Sequence, residues 1–524
     1  MKSKDIIQNI KNKINKENIK DIIFFFIISI IFFGIFINME YATDTYTVFS
    51  VGAKQDIIHF LGSGRFVTAF FTLIARILNL GETSIYLISY IMAIISLVLS
   101  LYEMKKIISK DIKSNIMSRI ISVFIVMNVF IIELFLFIEK GVLILSILFN
   151  VYAVKYLIKY FETKNKKELL KVLLFMFLAN GSYQGTVGLF IAISLVYIIK
   201  YSKNIKEFFI NNIITAVAYI ISAVVDLGIA KIFAGDRVSG NIILSESISK
   251  VLSSTKNMLQ SFDILPKNVF CYSVIFIIAI ILIEILTNKE KIKENNKKKN
   301  LVGKVIQILE VCYIVLGIYL VTILPQLMQN TASIWVVPRS TYTFASLLGI
   351  LMLYLFINFK DNIIKNCGKE EQEKKSSIAK VINLKNIIIA FSMIFIFIQY
   401  YNFQKIEMDR YELNEEDKNI SLQIIESIKQ YEAETENTVI NIAIYNDKNI
   451  KYSYKDIKVI GDLNVRAYSA DWATKSILEY YAKKQFNVVQ KNEKIEEYFK
   501  NKNWDFYNEE QLVFNDNTLH LCCY

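Results

Sequence analysis

The run IIFFFIISIIFFGIFI, residues 22–37, decides the fold because it contains no charged side chain. A helix needs about 20 apolar residues to cross the hydrocarbon core of a bilayer, and this run with its flanks supplies that length. We therefore predict a first membrane span at residues 21–39. Ten later runs have a similar character, so the sequence predicts a polytopic α-helical membrane protein with about 11 transmembrane helices. The later predicted spans are 83–103, 119–138, 141–159, 168–182, 184–200, 208–234, 268–287, 304–324, 341–358 and 386–401.

The composition of the whole chain agrees with a membrane protein. Of its 524 residues 54% are hydrophobic and 21% charged, and the mean hydropathy is +0.38. Soluble domains carry about a quarter charged residues. Five cysteines in this length exclude a disulfide scaffold, and two histidines argue against a zinc site. The net charge of +12 fits either a nucleic-acid partner or a membrane.

The distribution of charge separates these two interpretations. Residues 1–401 hold 44 of the 60 Lys and Arg residues but only 26 of the 48 Asp and Glu residues. Most of these cations lie in short segments between apolar runs, as expected of cytoplasmic loops. Basic surfaces that bind nucleic acid are not interrupted by hydrocarbon-length apolar stretches. We therefore predict a multi-pass cell-membrane protein without a nucleic-acid partner, with a cytoplasmic N-terminus and an extracytoplasmic C-terminus.

The chain changes character near Tyr401. Residues 402–524 are acidic and read as a small extracytoplasmic soluble α/β domain, whereas residues 1–401 form the transmembrane domain. In the tail, TVINIAIYND predicts a strand and LVFNDNTLHLCCY a hairpin with an Asn-Asp-Asn turn. The segments NISLQIIESIKQY, WATKSILEYYAKK and KIEEYFKNK predict helices.

The first outer loop carries the densest set of polar candidates. The soluble catalytic signatures, such as a P-loop or a nucleophile elbow, are missing, so any chemistry must come from outer or buried polar groups. The loop, which we delimit at about residues 40–82, opens as EYATDTYTVFSVGAKQDIIHFLGSGRF. Solvation is the favoured interpretation for Asp56 and His59, whereas Asp44 and Arg65 are equally compatible with solvation and with function. Segment 66–80 predicts an amphipathic or re-entrant helix at the outer face.

Two further outer motifs carry candidate ligand-binding groups. NGSYQG places Tyr183 and Gln184 at the turn of a short hairpin, where they suit sugar hydroxyls or a polar helix–helix contact. WVVPRS places Arg339 at the outer end of a span, where it suits either a bidentate grip on phosphate or snorkelling to the interface.

These motifs resemble a known family of membrane enzymes. A first span followed by YATDTYT resembles the lipid-linked glycosyltransferases of the GT-C type. GSGRF, NGSYQG and WVVPRSTYTF, in that order, resemble more narrowly the type II glucosyl transferases, bacterial enzymes related to phage-encoded proteins that modify O-antigen. The ending, with RAYSADWATKSIL, is similar to that of Gram-positive and other homologues.

The resemblance implies transfer of a hexose, typically glucose, from a polyprenyl-phosphate carrier to a surface glycan outside the membrane. By motif, Asp44 would deprotonate the acceptor hydroxyl, and Arg65 and Arg339 would hold the carrier phosphate. Tyr183 and Gln184 would line the sugar or carrier cleft. The candidate sites also include Glu40, as a second catalytic carboxylate, and Arg237, as a substrate-binding residue. Implied partners are the polyprenyl-phosphate-linked sugar donor, the glycan acceptor, the lipid bilayer, a flippase and a carrier-charging enzyme.

Several alternatives stay open at this stage. Many such enzymes carry paired acidic residues in the first loop, whereas here Asp44 is followed by Thr45. No cofactor is therefore certain, and assistance by a divalent metal ion is left open. The competing functions are a transporter or flippase for lipid-linked glycans and a non-catalytic protein of envelope assembly.

Overall fold

A computed structural model describes most of the chain, and it is almost entirely helical outside the C-terminal region. The described residues are 16–50, 53–233, 247–287, 297–327, 336–359, 384–446, 457–500, 502 and 509–523.

The helices of the first half alternate between long membrane-length elements and short connecting ones. They are α1 (Lys16–Phe33), α2 (Thr43–Ser50), α3 (Ala53–Gly62), α4 (Phe66–Ile77), α5 (Glu82–Ser109), α6 (Asn115–Val126), α7 (Ile131–Phe135), α8 (Lys140–Thr163), α9 (Lys166–Ser182) and α10 (Gly188–Tyr201). The helices of the second half continue the pattern. They are α11 (Ile205–Ile232), α12 (Ser247–Gln260), α13 (Val269–Thr287), α14 (Lys297–Leu327), α15 (Tyr342–Ala345), α16 (Leu347–Asn358), α17 (Leu384–Thr435), α18 (Asp471–Ala482) and α19 (Glu493–Lys500).

Among the described residues, nine helical segments are long and apolar enough to cross a membrane. The chain is thus a polytopic helical protein, but two of the eleven predicted spans differ. The run 119–138 is broken, because α6 ends at Val126 and the side-chain oxygen of Asn128 accepts a hydrogen bond from the Phe130 amide at 3.0 Å. The run 168–182 forms α9, which has only 17 residues. The segment predicted as an amphipathic or re-entrant helix forms α4, with 12 residues.

The buried side chains form one large apolar cluster and a smaller one. The large cluster fills the helical bundle and contains buried residues of α5 to α10 and of α16. The smaller cluster joins Tyr41, Tyr46 and Tyr86 of the bundle to buried residues such as Ile424 and Ile442 of the C-terminal region. The segment that follows α1 and the C-terminal region therefore share a core.

The C-terminal region carries a four-stranded sheet of order β2-β1-β4-β3. Its strands are β1 (Asn441–Tyr445), β2 (Asn487–Val488), β3 (Leu512–Asn515) and β4 (Thr518–Cys522). Strand β1 is parallel to β2 and β4, and β3 and β4 form the predicted hairpin. The boundary predicted at residues 401 and 402 falls inside α17, whose 52 residues run without a break from the bundle into this region.

The two ends of the bundle differ in their polar contacts. Basic residues that the charge pattern assigned to cytoplasmic loops form ion pairs at the end where α1 begins. Lys105 and Arg119 both pair with Asp21, each at 2.7 Å, and Lys155 pairs with Glu103 at 2.7 Å. The C-terminal region contacts the opposite end, where α1 leads into the segment that contains Tyr41 and Tyr46.

Candidate functional site

A polar cleft lies at the bundle end that faces the C-terminal region. Its cavity volume is about 50 Å³. The residues that line it come from distant parts of the sequence: Asp44, His59, Arg65, Phe137, Glu139, Leu143, Tyr183 and Arg339. Four of the seven predicted site residues, Asp44, Arg65, Tyr183 and Arg339, therefore meet in one cleft.

Asp44 reaches the cleft from the first turn of α2. The Thr-Asp pair at the start of the helix is favourable, because unpaired backbone N–H groups and the helix dipole stabilise a negative charge there. The side chain of Asp44 is exposed, so its carboxylate is accessible to a ligand that enters from solvent.

Arg65 enters the cleft from the residue that precedes α4. Its guanidinium lies 5.0 Å from the centre of the Tyr183 ring, and its Nη1 lies 3.8 Å from Oε1 of Glu139. The side chain is only 18% exposed, and within the described part of the chain its Nε has no hydrogen-bond partner. Arg65 thus keeps a buried donor that a ligand oxygen could satisfy.

Gly64 fixes the turn that presents Arg65. Its φ of +76° is disfavoured for residues with a side chain, and a Cβ there would lie 2.7 Å from a carboxylate oxygen of Asp226. Gln184 holds the same turn beside Asp226, because its Nε2 donates to the Ser63 carbonyl and to Asp226 Oδ2, both at 2.9 Å. Gln184 therefore supports the Arg65 turn and does not line the cleft.

Arg339 enters from the turn of 3₁₀ helix Pro338–Thr341. Its guanidinium stacks 4.3 Å from the centre of the Phe137 ring and pairs with the carboxylate of Asp462 in the C-terminal region. Glu133, which is fully buried on α7, lies 3.7 Å from Arg339 Nη1 and accepts a hydrogen bond from the Arg339 amide at 2.5 Å. Arg339 is therefore held on both its main chain and its side chain.

Glu139 is a cleft carboxylate that the sequence analysis did not select. It precedes α8, at the tip of the hairpin between α7 and α8. Burial raises the pKa of Glu139, the nearby Arg65 lowers it in part, and the charge of Asp44 adds to the rise. Burial therefore favours the protonated form of Glu139, a second carboxyl group in the cleft beside the exposed Asp44. The sequence feature that could have indicated Glu139 as a candidate is a Glu-Lys pair that stands alone between two apolar runs.

Glu40 lies outside this cleft, in a buried cluster of four charged side chains. Its other members are Lys140, Glu407 and Arg410, each at most 1% exposed. Lys140 Nζ sits 3.9 Å from the centre of the Tyr86 ring. Burial raises the pKa of Glu40 to about 7, although Arg410 and Lys140 oppose the shift. The structure therefore separates Glu40 from Asp44, since it faces the core instead of the cleft.

Arg237 lies outside the described residues. His59 is exposed at the rim of the cleft. Within the described ranges, no group of three or more His, Cys, Asp and Glu side chains is arranged to hold a metal ion. The charge balance of the cleft comes instead from Arg65 and Arg339, which face Asp44 and Glu139.

Comparison of the sequence with family models and with curated proteins found no match.

Proposed function

We propose that this protein is a membrane glycosyltransferase that moves a hexose, in the first instance glucose, from a polyprenyl-phosphate carrier to a cell-surface glycan. The observation that carries the proposal is the meeting of Asp44, Arg65, Tyr183 and Arg339 in one polar cleft. These four residues were selected from separate motifs, up to 295 positions apart in the sequence.

Sugar transfer from a lipid phosphate needs a general base, groups that bind the phosphate, and access from both the bilayer and the solvent. Asp44 is the exposed carboxylate and acts as general base on the acceptor hydroxyl. Arg65 and Arg339 bind the carrier phosphate, since guanidinium groups suit its oxygens and stabilise charge that develops on it. Tyr183 covers the face of Arg65 and lines the sugar side of the cleft.

The reaction forms one bond and breaks one. The acceptor oxygen bonds to the anomeric carbon of the donor sugar, and the bond from that carbon to the phosphate oxygen breaks. The electron pair stays on the released polyprenyl phosphate, and the acceptor proton passes to Asp44. The two arginines favour this step, because they stabilise the leaving phosphate more as its negative charge grows.

The orientation of the chain belongs to the same proposal. The cleft lies at the bundle end opposite the basic ion pairs, and the basic loops are predicted to be cytoplasmic. The cleft and the C-terminal region then face the outside, where a lipid-linked donor delivered by a flippase would be met. A carrier-charging enzyme would have to supply that donor.

The test compares surface glycans by mass spectrometry in a deletion strain complemented with wild type or with Asp44→Asn. We expect a hexose to disappear on deletion, to return with wild type and to stay absent with Asp44→Asn at equal protein abundance. Glycans that are identical in all strains would refute the transferase and favour an envelope-assembly role. Accumulation of an untransported lipid-linked glycan would instead favour a flippase.

A further inference from the structure

The segment 457–464 of the C-terminal region packs against the bundle next to the cleft, where Asp462 contacts the cleft residue Arg339. It begins the described range 457–500, and its apolar side chains belong to the core of the helical bundle. Ile460 is 8% exposed and Leu463 fully buried, and both join the large apolar cluster. The Leu463 amide donates to the Ile460 carbonyl at 3.0 Å, which closes a tight turn around Gly461 and Asp462.

This turn meets the bundle through a shared carboxylate. Glu133 accepts a hydrogen bond from the Asp462 amide at 2.7 Å and one from the Arg339 amide at 2.5 Å. Gly461 has a φ of +61°, and a Cβ there would lie 2.4 Å from Glu133 Oε1 and 2.6 Å from Pro338. The close approach thus requires glycine, and Glu133 ties the turn to the segment that bears Arg339.

The side chain of Asp462 completes the contact, since it pairs with the guanidinium of Arg339. Both side chains are largely buried, at 15% and 14% exposure, so this ion pair is screened less than a surface pair would be. An arginine has many rotamers, and fixing one of them before the ligand arrives lowers the entropic cost of binding.

We infer that Asp462 is a positioning residue of the site, which holds Arg339 in the orientation that binds the carrier phosphate. The inference rests on the proposed function and deepens it. The C-terminal region is then part of the phosphate-binding wall, and its attachment to the bundle sets the affinity for a polyprenyl-phosphate donor.

The test uses the full-length protein in detergent with Asp462→Asn, Arg339→Gln and the double variant. Two quantities are measured: the apparent KM for a polyprenyl-phosphate-linked glucose, and the Kd for dansyl-labelled polyprenyl phosphate. We expect Asp462→Asn to raise both values about tenfold or more, since a displacement of about 1 Å at such a site has large effects, while kcat changes less. The double variant should be no worse than Arg339→Gln, because both changes remove the same interaction.

The matched control is Asp471→Asn, since Asp471 is a partly buried carboxylate of the same region that accepts a hydrogen bond from Asn446 at 2.7 Å. It should leave KM and Kd within twofold of wild type. Asp462→Glu keeps the charge and should recover part of the lost affinity, which a purely structural role would not predict.

The inference is overturned if Asp462→Asn leaves KM and Kd unchanged, or if the two single effects multiply in the double variant. Failure of the proposed function gives a different result. The wild-type protein would then transfer no glucose and bind no labelled carrier. In that event the unfolding temperatures of the same four proteins test whether Asp462 and Arg339 interact. Non-additive losses of unfolding temperature support the pairing of Asp462 with Arg339, and additive losses contradict it.

Discussion

Replacement of Arg65 by alanine should reduce the free energy of donor binding more than it reduces the free energy of unfolding. Arg65 is 18% exposed, its Nη1 is 3.8 Å from Glu139, and its buried Nε has no hydrogen-bond partner in the described part of the chain. A bound phosphate would satisfy that nitrogen. A hydrogen bond between charged groups contributes about 1.5–3 kcal/mol, which corresponds to about 10- to 150-fold in affinity.

The assay is a titration of purified protein with labelled polyprenyl phosphate, together with the apparent KM for the sugar-linked carrier. Arg65→Ala should raise both within this range, and Arg65→Lys should raise them less, because lysine keeps the charge but loses the planar fork. Arg76→Gln is the matched control, since Arg76 lies on α4, the helix that Arg65 precedes, but pairs with Asp56 away from the cleft. Equal affinities for wild type and Arg65→Ala would refute the reasoning.

Two further predictions concern stability. Burial raises the pKa of Glu40 to about 7 in the folded protein, whereas its ordinary value is 4.5. Between these two pH values the folded protein keeps a proton on Glu40 that the unfolded chain releases. The wild-type unfolding temperature should therefore fall between pH 5 and pH 7.5, and Glu40→Gln should flatten that slope in calorimetry; an unchanged slope would contradict the assignment. Gly64→Ala should lower the unfolding temperature and the donor affinity, because it strains a φ of +76° and clashes with Asp226. A Cβ at Gly81 would meet no atom within 4 Å, so Gly81→Ala should be tolerated. Equal losses of unfolding temperature and donor affinity in both variants would count against the proposed turn.

Much of the fold was predictable because membrane helices are specified by local apolar runs. Nine predicted spans have helical counterparts of sufficient length in the described residues. The break after Val126 was not predictable, since it depends on Asn128, whose side chain bonds to Tyr342 and Ser346 more than 200 positions away. The continuity of α17 was also not predictable, because the sequence turns acidic after Tyr401. A stripe of buried residues that includes Phe403 nevertheless continues along one face of the helix.

The site was predictable only in part, for a related reason. Asp44, Arg65 and Arg339 stand out locally, because a polar residue beside a span or a glycine turn is visible in sequence. Asp462 gives no such signal, since its role depends on a turn that docks against Glu133 from another region. Glu40 shows the reverse situation: it is near Asp44 in sequence, but its side chain lies in a buried charge cluster outside the cleft.

The central claim is that Asp44 removes the acceptor proton, and one measurement tests it most directly. Purified wild type and Asp44→Asn are compared for glucose transfer from polyprenyl-phosphate glucose at saturating donor, with Kd for labelled polyprenyl phosphate and the unfolding temperature measured alongside. The account predicts that kcat falls by about 10²- to 10⁴-fold, while Kd and unfolding temperature stay close to wild type. Transfer by Asp44→Asn at the wild-type rate would contradict it.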